Sequence, residues 1–280
     1  MKGRHVKVFQ TVLTRALGAI VVCFLIFSPA DASLRRPSAP LSQAEKSPSL
    51  GQDMQDAKAK LQAGVNTWNL ELLKAARDRF INCLIKAKAE NAFILYHIAL
   101  ADYRLITFYL SSKANEDAEK SLAEAQKYLE KAMTVDPSFG EAAALYGYLL
   151  GFEIALHPEK AMTLGMASFD YLSKAVAKEP ENPRIHLLQG ISLFYTPQEY
   201  GGGADKAIES LTRAVSHFDK KVVGDPLQPS WGKDEAYTYL GIGYKQKKDF
   251  EKAKEMLKKA LEVNPEFSLA KKELLGLEKR

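Results

Sequence analysis

The chain has 280 residues, 46% of them hydrophobic and 26% charged, with a formal charge of +5. Its length suits one large domain after a leader. Its five histidines and two cysteines form neither His-Glu-x-x-His nor Cys-x-x-Cys, which excludes metal sites of those patterns.

Residues 1–15 are basic, residues 16–27 are an apolar run, and Ser28-Pro29-Ala30-Asp31-Ala32 follows. This layout predicts a secretory signal peptide over 1–32, cleaved after Ala32. The apolar run is short of the roughly 20 residues that span a bilayer, so an uncleaved anchor is the lesser alternative. Cys23 lies inside the run without the small residues that precede a lipidated cysteine.

Removing 1–32 takes away Lys2, Arg4, Lys7, Arg15 and Asp31, and the formal charge falls to +2. A near-neutral mature chain gives no electrostatic case for nucleic acid. Cys83 is then the sole cysteine, so packing rather than an internal disulfide must stabilise an exported fold. The Ser- and Pro-rich stretch 33–52 reads as a disordered linker, and 53–280 as the folded domain.

Within 53–280 one pattern recurs: a small residue on a first helix, then Ala-x-x-x-bulky-x-x-small on a second. Gly64 with Ala76, Phe80 and Cys83 marks a hairpin at about 57–90, and Ala99 with Ala125, Leu129, Ala132 and Pro137 marks 91–139. Gly147 with Ser168, Leu172, Ala175 and Pro180 marks 140–182; Gly190 with Ala207, Leu211 and Ala214 marks 183–219. The last copy, 234–267, adds Leu240-Gly241, Tyr244, Ala253, Leu257, Ala260 and Pro265. Gly241 lets two helices approach, the alanines keep the facing surface shallow, and Pro265 ends the second helix. Cys83 takes the small position that alanine fills elsewhere, which makes it a packing thiol.

These offsets resemble the tetratricopeptide (TPR) repeat, with Tyr237 where that family usually has tryptophan and Leu257 where it often has phenylalanine. The resemblance implies an all-α, right-handed superhelical solenoid of about five hairpins with a capping helix over 268–280. It implies, more specifically, an exported bacterial TPR protein with enlarged middle repeats.

The three middle hairpins are longer between their helices than the outer two, so a lip on one edge is expected. Residues 103–110 should lengthen the second hairpin's first helix, His157-Pro158 should break the third, and Tyr200-Gly201-Gly202-Gly203 should make the fourth irregular. A further insertion precedes the last hairpin and contains Pro226, Pro229 and Trp231, and Trp231 is expected to pack on the solenoid.

In the TPR family ligands commonly lie in the concave groove lined by first helices. That resemblance places Phe93, Tyr96, Tyr103, Arg104, Tyr148, Phe152, Arg184, Phe194 and Tyr195 there, with Trp231 beside them. The expectation is an aromatic cleft with two arginine handles, or, equally, aromatics that are simply core. Arginine grips carboxylates with two donors, so a peptide C-terminus or a small acidic ligand fits.

Neither a phosphate-binding glycine loop nor a complete nucleophile elbow is present, so no enzyme and no cofactor are expected. The function expected is an exported, periplasmic or secreted TPR scaffold binding a protein or peptide as an adaptor in an envelope complex. The alternative is a solute-binding protein partnering an uptake system, with the middle repeats closing a pocket. The adaptor needs an open groove; the solute binder needs an enclosed cavity.

Overall fold

The computed structural model describes residues 49–220 and 224–279. The expected signal peptide and nearly all of the expected linker lie outside the described residues. The first helix starts at Leu50, capped by the Ser49 hydroxyl, which accepts from the Gln52 N–H, so helix begins before the expected boundary at 52/53.

Helices α1 (Leu50–Thr67) and α2 (Leu70–Lys86) form the first hairpin; α3 (Ala92–Ser111) and α4 (Asn115–Val135) form the second. Helices α5 (Gly140–Leu156) and α6 (Ala161–Lys178) make the third, α7 (Pro183–Tyr195) and α8 (Ala204–Lys220) the fourth. The fifth pairs α9 (Lys233–Gln246) with α10 (Phe250–Val263), and α11 (Ser268–Glu278) packs on α10. No strand occurs among the described residues. The all-α solenoid of five hairpins and a cap is the expected architecture.

Local chemistry starts and stops these helices where the sequence says it should. Asn69, Asn91, Asn182 and Asp249 each accept a backbone N–H of the helix that follows. Pro137, Pro180 and Pro265 sit just beyond α4, α6 and α10, where a missing N–H costs nothing. Trp68 takes a left-handed backbone, φ 50°, to turn α1 sharply into α2.

The repeating small residue explains how tightly each hairpin closes. A Cβ added at Gly64 would lie 2.8 Å from Leu73 Cδ2, at Gly147 2.6 Å from Tyr171 Cβ, at Gly190 2.7 Å from Leu211 Cγ, and at Gly241 2.8 Å from Leu257 Cγ. Four hairpins therefore use one packing device, backbone against a bulky side chain. The second hairpin carries Ala99 instead, fully buried.

First helices form an inner layer in which α3 meets α5, α5 meets α7, and α7 meets α9. Residues 94–106 of α3 are all buried, so this helix, although long and apolar enough to cross a membrane, is the centre of the core.

Enlargement of the middle hairpins takes two forms. In the second it lengthens both helices, leaving only 112–114 as the turn. In the third and fourth it inserts the 3-10 turns Pro158–Lys160 and Gln198–Tyr200. Gly201 and Gly203 have φ of 88° and 108°, the irregular backbone expected of three glycines.

The two ends of the stack meet. On α1, Lys58 Nζ donates to the carbonyls of Pro226 (2.6 Å) and Gln228 (2.5 Å), and Asn66 exchanges hydrogen bonds with Asn264 at the end of α10. Asn264 also donates to Asp234 on α9 at 2.6 Å. The superhelix thus closes on itself through one turn of hairpins.

Candidate functional site

The concave side is not an open channel. Segment 224–232, reaching back from the last hairpin, lies across the first helices: Trp231 Nε1 donates to Tyr96 Oη at 3.1 Å, and Gly232 abuts Leu187 and Phe218. Trp231 does pack on the solenoid, and it does so inside the groove where a ligand was expected.

Beneath this segment the two arginines are engaged. Arg104 Nη1 donates to Glu235 Oε2 at 2.9 Å and its Nη2 to Glu235 Oε1, while the guanidinium stacks over the rings of Tyr103 (4.6 Å) and Trp231 (5.0 Å). Burial works against the charge, yet the Glu235 carboxylate outweighs it and holds Arg104 above its ordinary range. Arg184, only 2% exposed, gives Nε to Glu141 Oε1 at 2.7 Å and lies over Phe218. Both expected handles are internal ion pairs, because a buried guanidinium without a carboxylate would be prohibitively desolvated.

The aromatics sort the same way. Tyr103, Tyr148 and Phe152 form one cluster with centroids 5.4–5.8 Å apart. Tyr96 and Phe93 both pack on Phe139, at 5.2 and 5.1 Å. Tyr96, Tyr103 and Tyr148 are buried, and desolvation raises the pKa of each phenol. Phe194 packs edge-on against Tyr195, half-buried at the end of α7, and burial pushes the Tyr195 hydroxyl up to about 12. Tyr96, Tyr103 and Tyr148 thus pack as the core alternative has it, whereas Phe93, Phe152, Phe194 and Tyr195 are half-buried.

Two hollows flank segment 224–232. One, of about 280 Å³, is lined by α1 and α3 residues including Lys58, Leu61, Val65, His97 and Arg104, and by Trp231. The other, of about 460 Å³, lies among Phe93, Glu141, Lys178, Glu179, Arg184 and Gln228.

The outer surface carries a different feature. On α6, Met162, Met166 and Phe169 are 69, 63 and 67% exposed, at i, i+4 and i+7. No charge occurs from 161 to 169, and a Cβ on Gly165 would meet nothing within 4 Å. The other face of the same helix buries Ser168, Leu172 and Ala175 in the hairpin. A surface methionine–phenylalanine stripe of this kind is a candidate contact face.

Sequence reasoning missed Glu141, Glu235, Lys58 and His97 as interior residues, and missed the α6 stripe. The stripe had a signal, a charge-free stretch on a second helix whose inner face was already accounted for. The carboxylates had none, because their partners lie 43 and 131 residues away.

Geometry and sequence thus define a closed solenoid of helical hairpins. Residues 234–267 match the tetratricopeptide repeat, and the described residues fold as a solenoid of such hairpins. It is 28% identical over 193 residues to the anaphase-promoting complex subunit CDC16 of Saccharomyces cerevisiae, a match that covers 66% of this chain and 19% of that protein. Among solved structures it is similar to the HusA haemophore of Porphyromonas gingivalis, with 25% identity, 74% of this chain and 96% of that one covered, and a TM-score of 0.60. A thermophilic TPR protein of Thermus thermophilus shares the fold at 17% identity, covering 80% of this chain and all of that one, with a TM-score of 0.54. Proteins built of such repeats are generally non-enzymatic scaffolds, and this fold is suited to protein–protein interaction.

Proposed function

We propose that this chain is an exported TPR scaffold that holds a protein partner within an envelope complex, and that it does so on the outer face of α6 and not in the groove. One observation carries the site: Met162, Met166 and Phe169 stand exposed in a single stripe on a helix whose opposite face is packed. Apolar anchors at i, i+4 and i+7 suit an amphipathic helix of the partner laid alongside. Flexible methionines give such a contact tolerance of shape, and the self-filled groove leaves the rigid solenoid free to act as a mount.

The reading is tested by capturing partners with the full chain and with a Met166→Glu/Phe169→Glu variant. The expected result is a partner retained by the wild type and lost by the variant at unchanged helicity. Equal capture by both would end the α6 assignment. The mature N-terminus of the same preparation reads export directly: Ser33 is expected.

The likeness to a haemophore favours a second reading, carriage of a small ligand. It would use the interior hollows and leaves the α6 face available.

A further inference from the structure

The hollow between α1, α3 and segment 224–232 has two unusual walls. His97, 1% exposed, donates Nδ1–H to the Phe93 carbonyl at 2.6 Å, which leaves Nε2 as a lone-pair acceptor, and that atom has no partner. Arg104 spends its two terminal nitrogens on Glu235, and its Nε–H, a donor, has no partner either. Buried polar atoms are almost always hydrogen-bonded, so one orphan acceptor and one orphan donor on side chains lining the same hollow ask for a single molecule that satisfies both.

The surroundings narrow its chemistry. Burial pushes His97 down to about 3, so the ring is neutral and cannot donate from Nε2. Lys58 lines the hollow and is half-buried, with Asp225 near enough to favour its charge, and the Arg104–Glu235 pair is neutral as a whole, so the charged group that the lining itself leaves facing a ligand is a cation. No carboxylate residue lines the hollow, so an ammonium group would find no counter-charge. Leu61, Val65, Leu100 and Trp231 supply an apolar body. The volume of about 280 Å³ lies just under the range of roughly 300–1,000 Å³ that holds drug-sized ligands.

We infer that this hollow binds a small apolar hydroxycarboxylic acid, its hydroxyl donating to His97 Nε2 and its carboxylate accepting from Arg104 Nε–H beside Lys58. This assignment rests on the second functional reading, ligand carriage, and is independent of the α6 face. It extends that reading by giving it a site and a ligand class.

The test uses the full-length chain, with thermal shift and tryptophan fluorescence as readouts, against 2-hydroxyisovalerate, isovalerate and L-valine. The hydroxy acid is expected to raise the melting temperature and to perturb Trp231. Isovalerate, lacking the donor, should bind about tenfold more weakly, one hydrogen bond's worth. L-Valine should not bind. His97→Phe, which keeps an aromatic ring beside Phe80, should erase the preference for the hydroxyl while retaining the weak binding of isovalerate. Trp231→Phe should keep binding and remove the fluorescence response. No shift with either acid, or a hydroxyl preference that survives in His97→Phe, would overturn the proposal. Native mass spectrometry of the purified chain separates the two levels: a different co-purifying compound alongside failure of both acids would retain carriage and reject this site.

Discussion

The guanidinium of Arg104, in the second hairpin, grips both carboxylate oxygens of Glu235, in the fifth, across 131 residues of chain. The pair ties the inner layer of the solenoid to its last repeat. Removing one partner strands a buried charge, at a cost of about 3–5 kcal/mol. Arg104→Met is thus expected to lower the denaturation midpoint strongly, and Arg104→Met/Glu235→Met to recover most of the loss. Chemical denaturation of the three variants measures this, and an additive double variant would contradict the coupling.

Trp231 fastens segment 224–232 through its bond to Tyr96 and its stack on Arg104. Fully buried tryptophans cost about 3–5 kcal/mol on truncation, so half-buried Trp231→Ala should cost about 2 kcal/mol. Limited proteolysis is expected to cut the variant first within 224–232, with the hairpins intact. Cleavage at the same rate as in the wild type would show that the tryptophan does not hold the segment.

Gly147 faces Tyr171 Cβ and the Ser168 carbonyl, neither of which can swing away as a flexible side-chain tip could. Gly147→Ala should destabilise by about 1–3 kcal/mol through overpacking. Gly151→Ala, four residues on where a Cβ meets nothing, should be neutral or stabilising because alanine is the better helix former. Thermal melts of the two variants provide the comparison.

Two bases shifted by burial give opposite ends of the pH profile. His97 takes a proton at about 3 when folded and at 6.5 when unfolded. Between these the unfolded chain binds more protons, so stability falls as pH drops from 6.5 towards 3. Lys58, lowered by burial to about 8 from 10.5, behaves likewise on the alkaline side: its burial cost is present below pH 8 and relieved as pH rises to 10.5. The wild-type melting temperature minus that of His97→Phe should slope only in the first window. The difference against Lys58→Met should slope only in the second.

Much of the fold was legible because each hairpin is a local solution. Gly64, Gly147, Gly190 and Gly241 occupy equivalent close contacts, and the Asn caps and terminal prolines act within a few residues of themselves. The groove was not legible, because its contents depend on contacts between distant repeats. Arg104 read as a free handle since nothing near it in sequence is acidic except Asp102, which pairs instead with Arg77. Segment 224–232 was recognised as ordered, but whether it lay on an edge or in the groove depends on how far the superhelix turns before its ends meet. Repeat-to-repeat rotation sets that turn, and no single hairpin encodes it.

The central claim, that the outer face of α6 rather than the groove meets the partner, is tested most directly by photocrosslinking in cells. A benzophenone amino acid would replace Met166 in one variant and Gln62, beside the interior hollow, in another. The account predicts a discrete heteromeric adduct from position 166 and none from position 62. An adduct from position 62 with none from 166 would contradict it.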